Sequence, residues 1–171
     1  LVFSFFSCED EDDSDNGPYL IVKFQFDSNQ VRLNNLGQPA SIPYGHAAQS
    51  PDFSKISAHY FELAPTAYTQ LTEGTVLYHA DETTQGGSVA IDFSKAVIVS
   101  EGEVFLKIPL SQVAQGNYEY VRVSLAYQEY NISVRNNGAD YQGKLASFVG
   151  YNNYITTHTL GNNSFPVNGN R

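Results

Sequence analysis

The residues of this chain with the most specific chemistry are its four histidines, His46, His59, His79 and His158. Imidazole nitrogens are common ligands of copper and zinc, so histidines that meet in space can form a metal site. His46 lies in a long connection rich in glycine and proline, and His59 lies in the strand predicted next. These two side chains could therefore converge at one rim of a β-domain. The competing interpretation is that scattered histidines are half-buried and satisfied by ordinary hydrogen bonds.

Acidic residues follow His79 directly and extend this candidate metal site. Asp81 lies two residues after His79, a spacing that places both side chains on one face of a strand. Glu82 follows and offers a further carboxylate. The sequence therefore predicts a metal site built from His46, His59, His79 and Asp81. Glu82 can contribute a further ligand to it.

The only cysteine, Cys8, lies between an apolar run and an acidic run. The residues before it read LVFSFFS, and residues 9–15 contain six acids. A short apolar stretch, a small residue and a cysteine are typical of the end of a signal peptide whose cleavage exposes a cysteine for lipidation. We expect lipidation at Cys8 rather than inert burial, because neither flank suits a core. A single cysteine also has no partner for an internal disulfide.

The segment Phe5-Phe6-Ser7-Cys8 resembles the lipobox of bacterial lipoproteins, and the acids after Cys8 resemble the export signal of Bacteroidota-type surface lipoproteins. The resemblance implies an extracytoplasmic protein at the outer membrane or cell surface, attached to the membrane through its N-terminal lipid. It divides the chain into the end of a signal peptide (1–8), an acidic flexible tether (9–18) and a folded domain (19–171). We expect further sequence before residue 1 and after the turn-like SFPVNGNR.

The negative charge of the chain is concentrated near its N-terminus. The formal net charge is −9, but six of the 18 acids lie between positions 9 and 15, and the remaining twelve acids and nine bases give −3. We expect the acidic segment to be a solvated, disordered spacer because its like charges repel. The body carries no basic patch for nucleic acid, so no nucleic-acid partner is expected. No run of about eighteen apolar residues predicts a transmembrane helix.

A hydrophobic period of two dominates the body of the sequence. In 19–27 the apolar residues Leu20, Val22, Phe24 and Phe26 alternate with polar ones, the pattern of a half-buried strand. The same signal predicts further strands near 56–64, 75–80, 88–93, 96–100, 103–110, 118–134, 144–151 and 153–160. Eight or nine short strands with intervening turn signals predict an all-β domain, a Greek-key immunoglobulin-like β-sandwich.

Three connections refine this prediction. Asn136-Asn137-Gly138 is a strong turn signal after the longest strand. The best helical candidate is a single turn in LSQVAQG, which Gly116 closes. The connection 28–51 is long, and long ordered loops are often functional.

The stretch IPLSQVAQGNYEYVRV resembles the tyrosine corner of Greek-key sandwiches such as fibronectin type III domains. In that corner a tyrosine hydroxyl binds the backbone of the preceding crossover. The resemblance implies that Tyr118 or Tyr120 has this structural role. The alternative is a tyrosine that simply begins a strand.

The chain has none of the common short catalytic motifs, including G-x-S-x-G, H-E-x-x-H and C-x-x-C. We therefore expect a binding or structural module at the cell envelope rather than an enzyme. A serine triad assembled in space would instead make it a hydrolase on a sandwich scaffold.

Acidic clusters at 81–82 and 101–103 could bind calcium or be simply solvated. An aromatic face for a glycan or protein partner could be formed by Tyr127, Tyr130, Tyr141, Tyr151 and Tyr154.

Four segments follow one another along the chain, namely FQFD, a long Gly/Pro loop, SPDFSKISAHYFELAP and a G-x-Y-x-x-VRVSLAY strand. In this order of segments the chain resembles the MbnP-like family of methanobactin-associated proteins. The resemblance spans roughly residues 20–131 and implies a secreted β-sandwich, copper-binding in some members. It makes a copper-handling envelope protein that uses His46, His59 and His79 the alternative function. The chain contains no Trp, so the reactive tryptophan of that family has no counterpart. The matching positions are Phe24, Phe26, Asp27, Phe53, Ile56, Tyr60, Gly116, Tyr118, Val121 and Val123.

Overall fold

The structure is all-β, as the period of two predicts. It is a computed structural model that describes residues 17–167 and the backbone of Val2–Phe6. Cys8 and the acidic segment 9–16 lie outside the described residues. Lipidation and the flexible tether therefore stay predictions.

The described chain forms eleven strands and one short helical turn. In chain order the strands are β1 (Val2–Phe6), β2 (Tyr19–Gln25), β3 (Asp52–Ala64), β4 (Thr75–His79), β5 (Glu82–Thr83), β6 (Ala90–Ile91), β7 (Val104–Pro109), β8 (Tyr120–Asn136), β9 (Ala139–Phe148), β10 (Thr157–Leu160) and β11 (Asn163–Pro166). The helical turn is a 3-10 turn at Leu110–Gln112. It confirms the single turn predicted in LSQVAQG.

Two antiparallel sheets form the framework, one with the order β1-β2-β7 and one with the order β4-β3-β8-β9. The hairpins β5-β6 and β10-β11 accompany them. Side chains of both sheets share one core, which contains Val22, Phe24, Ile56, Ala58, Phe61, Leu63, Val99 and Phe105. Complete burial of a side chain such as Phe24 contributes about 1.5–3 kcal/mol to folding. This shared core is the arrangement of a β-sandwich, whereas immunoglobulin-like Greek-key connectivity stays a prediction.

The region 88–100 contains less strand than alternation predicts. Only Ala90–Ile91 is a strand, and the later segment contributes a single bridge between Val99 and Ile56. The Oδ1 atom of Asp92 accepts hydrogen bonds from both the backbone N–H and the hydroxyl of Ser94. Such local side-chain bonds stabilise a turn in competition with a strand. The prediction of two strands here is therefore wrong in part.

The turn predicted at Asn136-Asn137-Gly138 is confirmed as the loop of the β8-β9 hairpin. Asn136 pairs with Ala139, so Asn137 and Gly138 are the only two loop residues. Both have positive φ, 50° and 80° respectively. Two-residue loops of this kind match the twist of a hairpin and favour Asn-Gly.

The tyrosine-corner contact is made by Tyr118. Its hydroxyl donates a hydrogen bond to the carbonyl of Ala114 and lies 2.7 Å from Thr75 Oγ1. A Cβ at Gly116 would lie 3.1 Å from the Tyr118 ring, so the glycine allows the close approach. Tyr120, the other candidate, is 47 % exposed. Tyr118 rather than Tyr120 therefore fastens the crossover to β8.

A buried ion pair fastens the connection 65–74 to the large sheet. Glu62 in β3 is completely buried and pairs with Arg122 of β8. The backbone N–H of Gly74 donates to Glu62 Oε1 at 2.7 Å, and Arg122 Nη2 donates to the carbonyl of Thr69 at 2.6 Å. The two charged groups thus hold the middle and the C-terminal end of this connection.

Strand β1 lies in the segment that the sequence predicts to be the end of a signal peptide. Its backbone pairs antiparallel with β2, from Val2 opposite Gln25 to Phe6 opposite Ile21. Cleavage before Cys8 would remove this strand and leave β2 at the edge of its sheet. The folded domain predicted from residue 19 contains the other ten strands of the described chain.

Candidate functional site

Strand β3 contains an irregularity at His59. On the β8 side, Ala58 pairs with Leu125 and Tyr60 pairs with Ser124, so His59 has no partner in that ladder. An extra residue of this kind is a β-bulge, which locally re-aims a side chain and is frequent beside functional sites. The bulge therefore leaves His59 as the one residue between Ala58 and Tyr60 that has no partner on β8.

The bulge also changes the facing of the second half of β3. Strict alternation over 56–64 predicts Phe61 and Leu63 on the face opposite to Ile56 and Ala58. In the structure all four lie in one core cluster. The prediction is wrong because one additional residue moves every later side chain to the other face.

His59, His79 and Glu82 come together where β3, β4 and β5 meet. One ligand atom from each lies within 4.8 Å of the other two. The Nε2 atoms of His59 and His79 are 3.5 Å and 3.8 Å from Glu82 Oε1. The two imidazole rings pack edge to face with centroids 4.7 Å apart. We call these three residues the His-His-Glu cluster.

Backbone pairing fixes two of these ligands relative to each other. His79 lies opposite Tyr60 in the β3-β4 ladder, and the N–H of Ala80 donates to the carbonyl of His59 at 2.7 Å. Glu82 begins β5 and lies opposite Ile91. The side chain of His59 is 20 % exposed, whereas those of His79 and Glu82 are 48 % and 41 % exposed. The cluster thus has one half-buried member and two that are more open to solvent.

The Nε2 atom of His59 has an unfilled hydrogen-bonding position beside the other two residues of the cluster. It is buried and has no hydrogen-bond partner within the described chain. An unsatisfied buried polar atom costs about 1–3 kcal/mol. A cation bound at this nitrogen would satisfy it.

The surroundings of His59 favour the neutral form of its imidazole. Burial first, and then the neighbouring His79, lower the pKa of His59, and the smaller effect of Glu82 opposes them. His59 is therefore neutral at pH 7. Neutral imidazole is the form that binds a metal ion.

The spacing of the cluster suits one ion after a small adjustment. Ligand atoms about 2.0–2.1 Å from a tetrahedral zinc lie about 3.3–3.4 Å apart. The distances from Glu82 Oε1 to the two imidazoles, 3.5 Å and 3.8 Å, are close to that value. The ligand atoms are separated by up to 4.8 Å, and rotations of the half-exposed side chains of His79 and Glu82 can close that gap. The residues therefore fit a transition-metal ion.

Two residues of the predicted metal site lie outside this cluster. His46 is exposed in the connection after β2, where its backbone N–H bonds to the carbonyl of Pro43. Asp81 Oδ2 lies 3.2 Å from the ammonium of Lys95. Strand β4 ends at His79, so the two-residue spacing no longer places Asp81 beside it. Glu82 takes the carboxylate position.

The other candidate groups have structural partners or are dispersed. Glu101 accepts a hydrogen bond from the N–H of Phe26, and Glu103 accepts one from the N–H of Ser100. The predicted aromatic face is not continuous, since Tyr127 is buried whereas Tyr141 is 54 % exposed. His158 lies on β10, in a separate aromatic cluster described below.

Comparisons with protein-family models, curated proteins and solved structures give no significant match to this chain. Among the described residues, no helix has the length and the apolar character needed to cross a membrane.

Proposed function

We propose that this chain is a lipid-anchored, extracytoplasmic β-sandwich module that binds a divalent transition-metal ion through His59, His79 and Glu82. The observation that carries the metal site is the buried Nε2 atom of His59, which lacks a hydrogen-bond partner within the described residues and lies beside two further ligands. The sequence around Cys8 supports the anchor and the location.

The ligand types favour Cu²⁺ or Zn²⁺. Imidazole suits both ions, whereas Cu⁺ prefers thiolate and thioether sulfur. The chain has no methionine, and its single cysteine is the predicted lipidation site. Divalent copper binds a given nitrogen and oxygen site more tightly than zinc does. Copper is therefore the favoured ion, in keeping with the resemblance to the MbnP-like family.

The cluster would leave part of the coordination sphere of the ion open. Three protein ligands leave at least one position for water or for a ligand from a partner. The exposure of His79 and Glu82 makes that position accessible from solvent. An accessible, incompletely coordinated ion suits transient metal binding and exchange at the cell envelope.

Calorimetric titration with Cu²⁺ and with Zn²⁺ tests this function. The full chain with Cys8→Ala is used, because a free thiol would compete for the metal. We expect one equivalent of Cu²⁺ to bind more tightly than one equivalent of Zn²⁺. His59→Ala, His79→Ala and Glu82→Gln should each weaken binding by about 10- to 100-fold or more, because even outer-shell groups have effects of this size.

His46→Ala is the matched control, because it removes an exposed imidazole that lies outside the cluster. We expect it to leave the affinity and the stoichiometry unchanged. Absence of stoichiometric binding, or equal losses for His46→Ala and His59→Ala, would refute the metal site. A soluble, unlipidated mature protein would refute only the anchor.

A further inference from the structure

A separate cavity of about 570 Å³ lies between the end of β9, the turn that follows it and the β10-β11 hairpin. Its lining includes the rings of Phe148, Tyr151, His158 and Phe165. The volume falls within the range of about 300–1,000 Å³ that is usual for small-molecule sites. None of the lining residues is a lysine, arginine, aspartate or glutamate. The lining therefore suits a neutral ligand.

Phe148, which lines this cavity, is held by a set of ring contacts. Its centroid lies 4.8 Å from that of His158, 5.0 Å from that of Tyr127 and 5.0 Å from that of Phe93. All three pairs are edge to face, the geometry that aromatic rings favour. The rings are thus fixed in place before any ligand arrives.

A chain of hydrogen bonds runs from Glu129 to His158. The ammonium of Lys144 and the hydroxyl of Ser54 both donate to Glu129 Oε1 at 2.9 Å. The hydroxyl of Tyr127 donates to Glu129 Oε2 at 3.0 Å and lies 3.1 Å from His158 Nε2. Burial tends to raise the pKa of Glu129, but the bonds from Lys144, Ser54 and Tyr127 outweigh it and lower that pKa. Glu129 is therefore an ionised acceptor.

These hydrogen bonds determine which nitrogen of the His158 ring carries the proton. The single hydroxyl proton of Tyr127 is committed to Glu129, so the Tyr127 oxygen must accept the other bond from a proton on His158 Nε2. In neutral imidazole the second nitrogen, Nδ1, then carries a lone pair. Nδ1 has no hydrogen-bond partner among the described residues, and the ring lines the cavity. This tautomer leaves Nδ1 as a hydrogen-bond acceptor on a residue that lines the cavity.

We propose that this cavity binds a neutral sugar ring, whose hydroxyl group donates a hydrogen bond to His158 Nδ1 and whose apolar C–H groups contact the rings of Phe148 and Tyr151. A sugar combines an apolar face with several hydroxyl donors and carries no charge. These are the properties that the uncharged lining, the fixed rings and the imidazole acceptor select. The site is independent of the His-His-Glu cluster.

Saturation-transfer NMR with the methyl glycosides of glucose, galactose, mannose and N-acetylglucosamine tests this site on the full Cys8→Ala chain. We expect at least one glycoside to receive saturation and to bind with a Kd of about 1–10 mM. His158→Phe keeps a ring but removes the acceptor, and should weaken that binding by about five- to tenfold. Thr159→Ala, at an exposed neighbouring position, should bind as the parent does.

The ¹⁵N chemical shifts of the His158 ring provide a second test that needs no ligand. We expect a protonated Nε2 and an unprotonated Nδ1 at neutral pH, and Tyr127→Phe should remove this preference. A proton on Nδ1 would overturn the proposal. It would equally be overturned if all four glycosides failed to bind, or if the His158→Phe variant bound them with unchanged affinity.

Discussion

Among the three proposed metal ligands, His59 has the least exposed side chain. Burial first, and His79 second, keep the pKa of its imidazole below the ordinary value of 6.5. The unfolded chain therefore takes up a proton on His59 at a higher pH than the folded chain does. Below about pH 6.5 that difference favours unfolding, and it stops growing once the pH passes below the folded pKa.

We therefore expect the metal-free protein to lose stability between about pH 7.5 and about pH 5.5, partly through His59. His59→Gln removes the titrating group and should reduce the pH dependence of the free energy of unfolding. Urea unfolding of parent and variant at the two pH values, with chelator present, measures the difference. Identical pH dependence in parent and variant would contradict this role of His59.

Single residues were only partly predictable from the sequence. The chemistry of His59 and His79 is evident from residue type, and the structure brings both into one cluster. Asp81 lies outside the cluster because its prediction assumed that the strand continues past His79, whereas β4 ends there. The hydrogen-bond chain from Glu129 to His158 joins residues 29 positions apart, so no local pattern reveals it.

At the scale of elements, the Glu62–Arg122 pair couples the connection 65–74 to two central strands. Removal of Arg122 would leave a completely buried carboxylate without its partner. We expect Arg122→Met to reduce the free energy of unfolding by about 3 kcal/mol. The double variant Glu62→Gln/Arg122→Met should be more stable than Arg122→Met alone, because it removes the buried charge and keeps an acceptor for the Gly74 N–H.

Chemical denaturation of the single and double variants measures this coupling. Arg135→Met is the control, since its ion pair with Asp140 is exposed and should contribute less than about 1 kcal/mol. If Arg122→Met were no more destabilising than Arg135→Met, the buried pair would have no special role in holding the connection.

Most strands were predictable because period-two alternation depends only on which face is buried. The Asn137-Gly138 turn was predictable for a local reason too, since both positions require positive φ. The bulge at His59 was not, because it follows from the register between β3 and β8, which are distant in sequence. The facing of Phe61 and Leu63 was therefore predicted wrongly.

At the scale of the whole molecule, the predicted anchor is the feature that decides where the protein acts. We expect the parent to sediment with membranes and to partition into detergent, and Cys8→Ala to move into the soluble fraction. Acylation contributes about 0.8 kcal/mol per buried methylene, so loss of the acyl chains should release most of the protein. Ser14→Ala, within the same acidic segment, should sediment as the parent does.

Cell fractionation with immunoblotting, followed by mass spectrometry of the mature N-terminus, checks this prediction. A Cys8→Ala variant that still sediments would contradict the anchor. So would a mature chain that retains residues before Cys8 with an unmodified thiol, and in that chain β1 would remain paired with β2.

The predicted lipid anchor would join the folded domain at the end that contains Pro18. The carbonyl of Pro18 accepts a hydrogen bond from Leu110, at the start of β2. The opposite end of β2 is followed by Phe26, whose ring stacks on Phe53 near the start of β3. The β8-β9 hairpin continues past that end to its tip at Gly138. With lipid on Cys8, nine intervening residues span at most about 30 Å, so the predicted anchor would keep the Pro18 end of β2 within that distance of the headgroups and allow the hairpin tip at Gly138 to reach farther out.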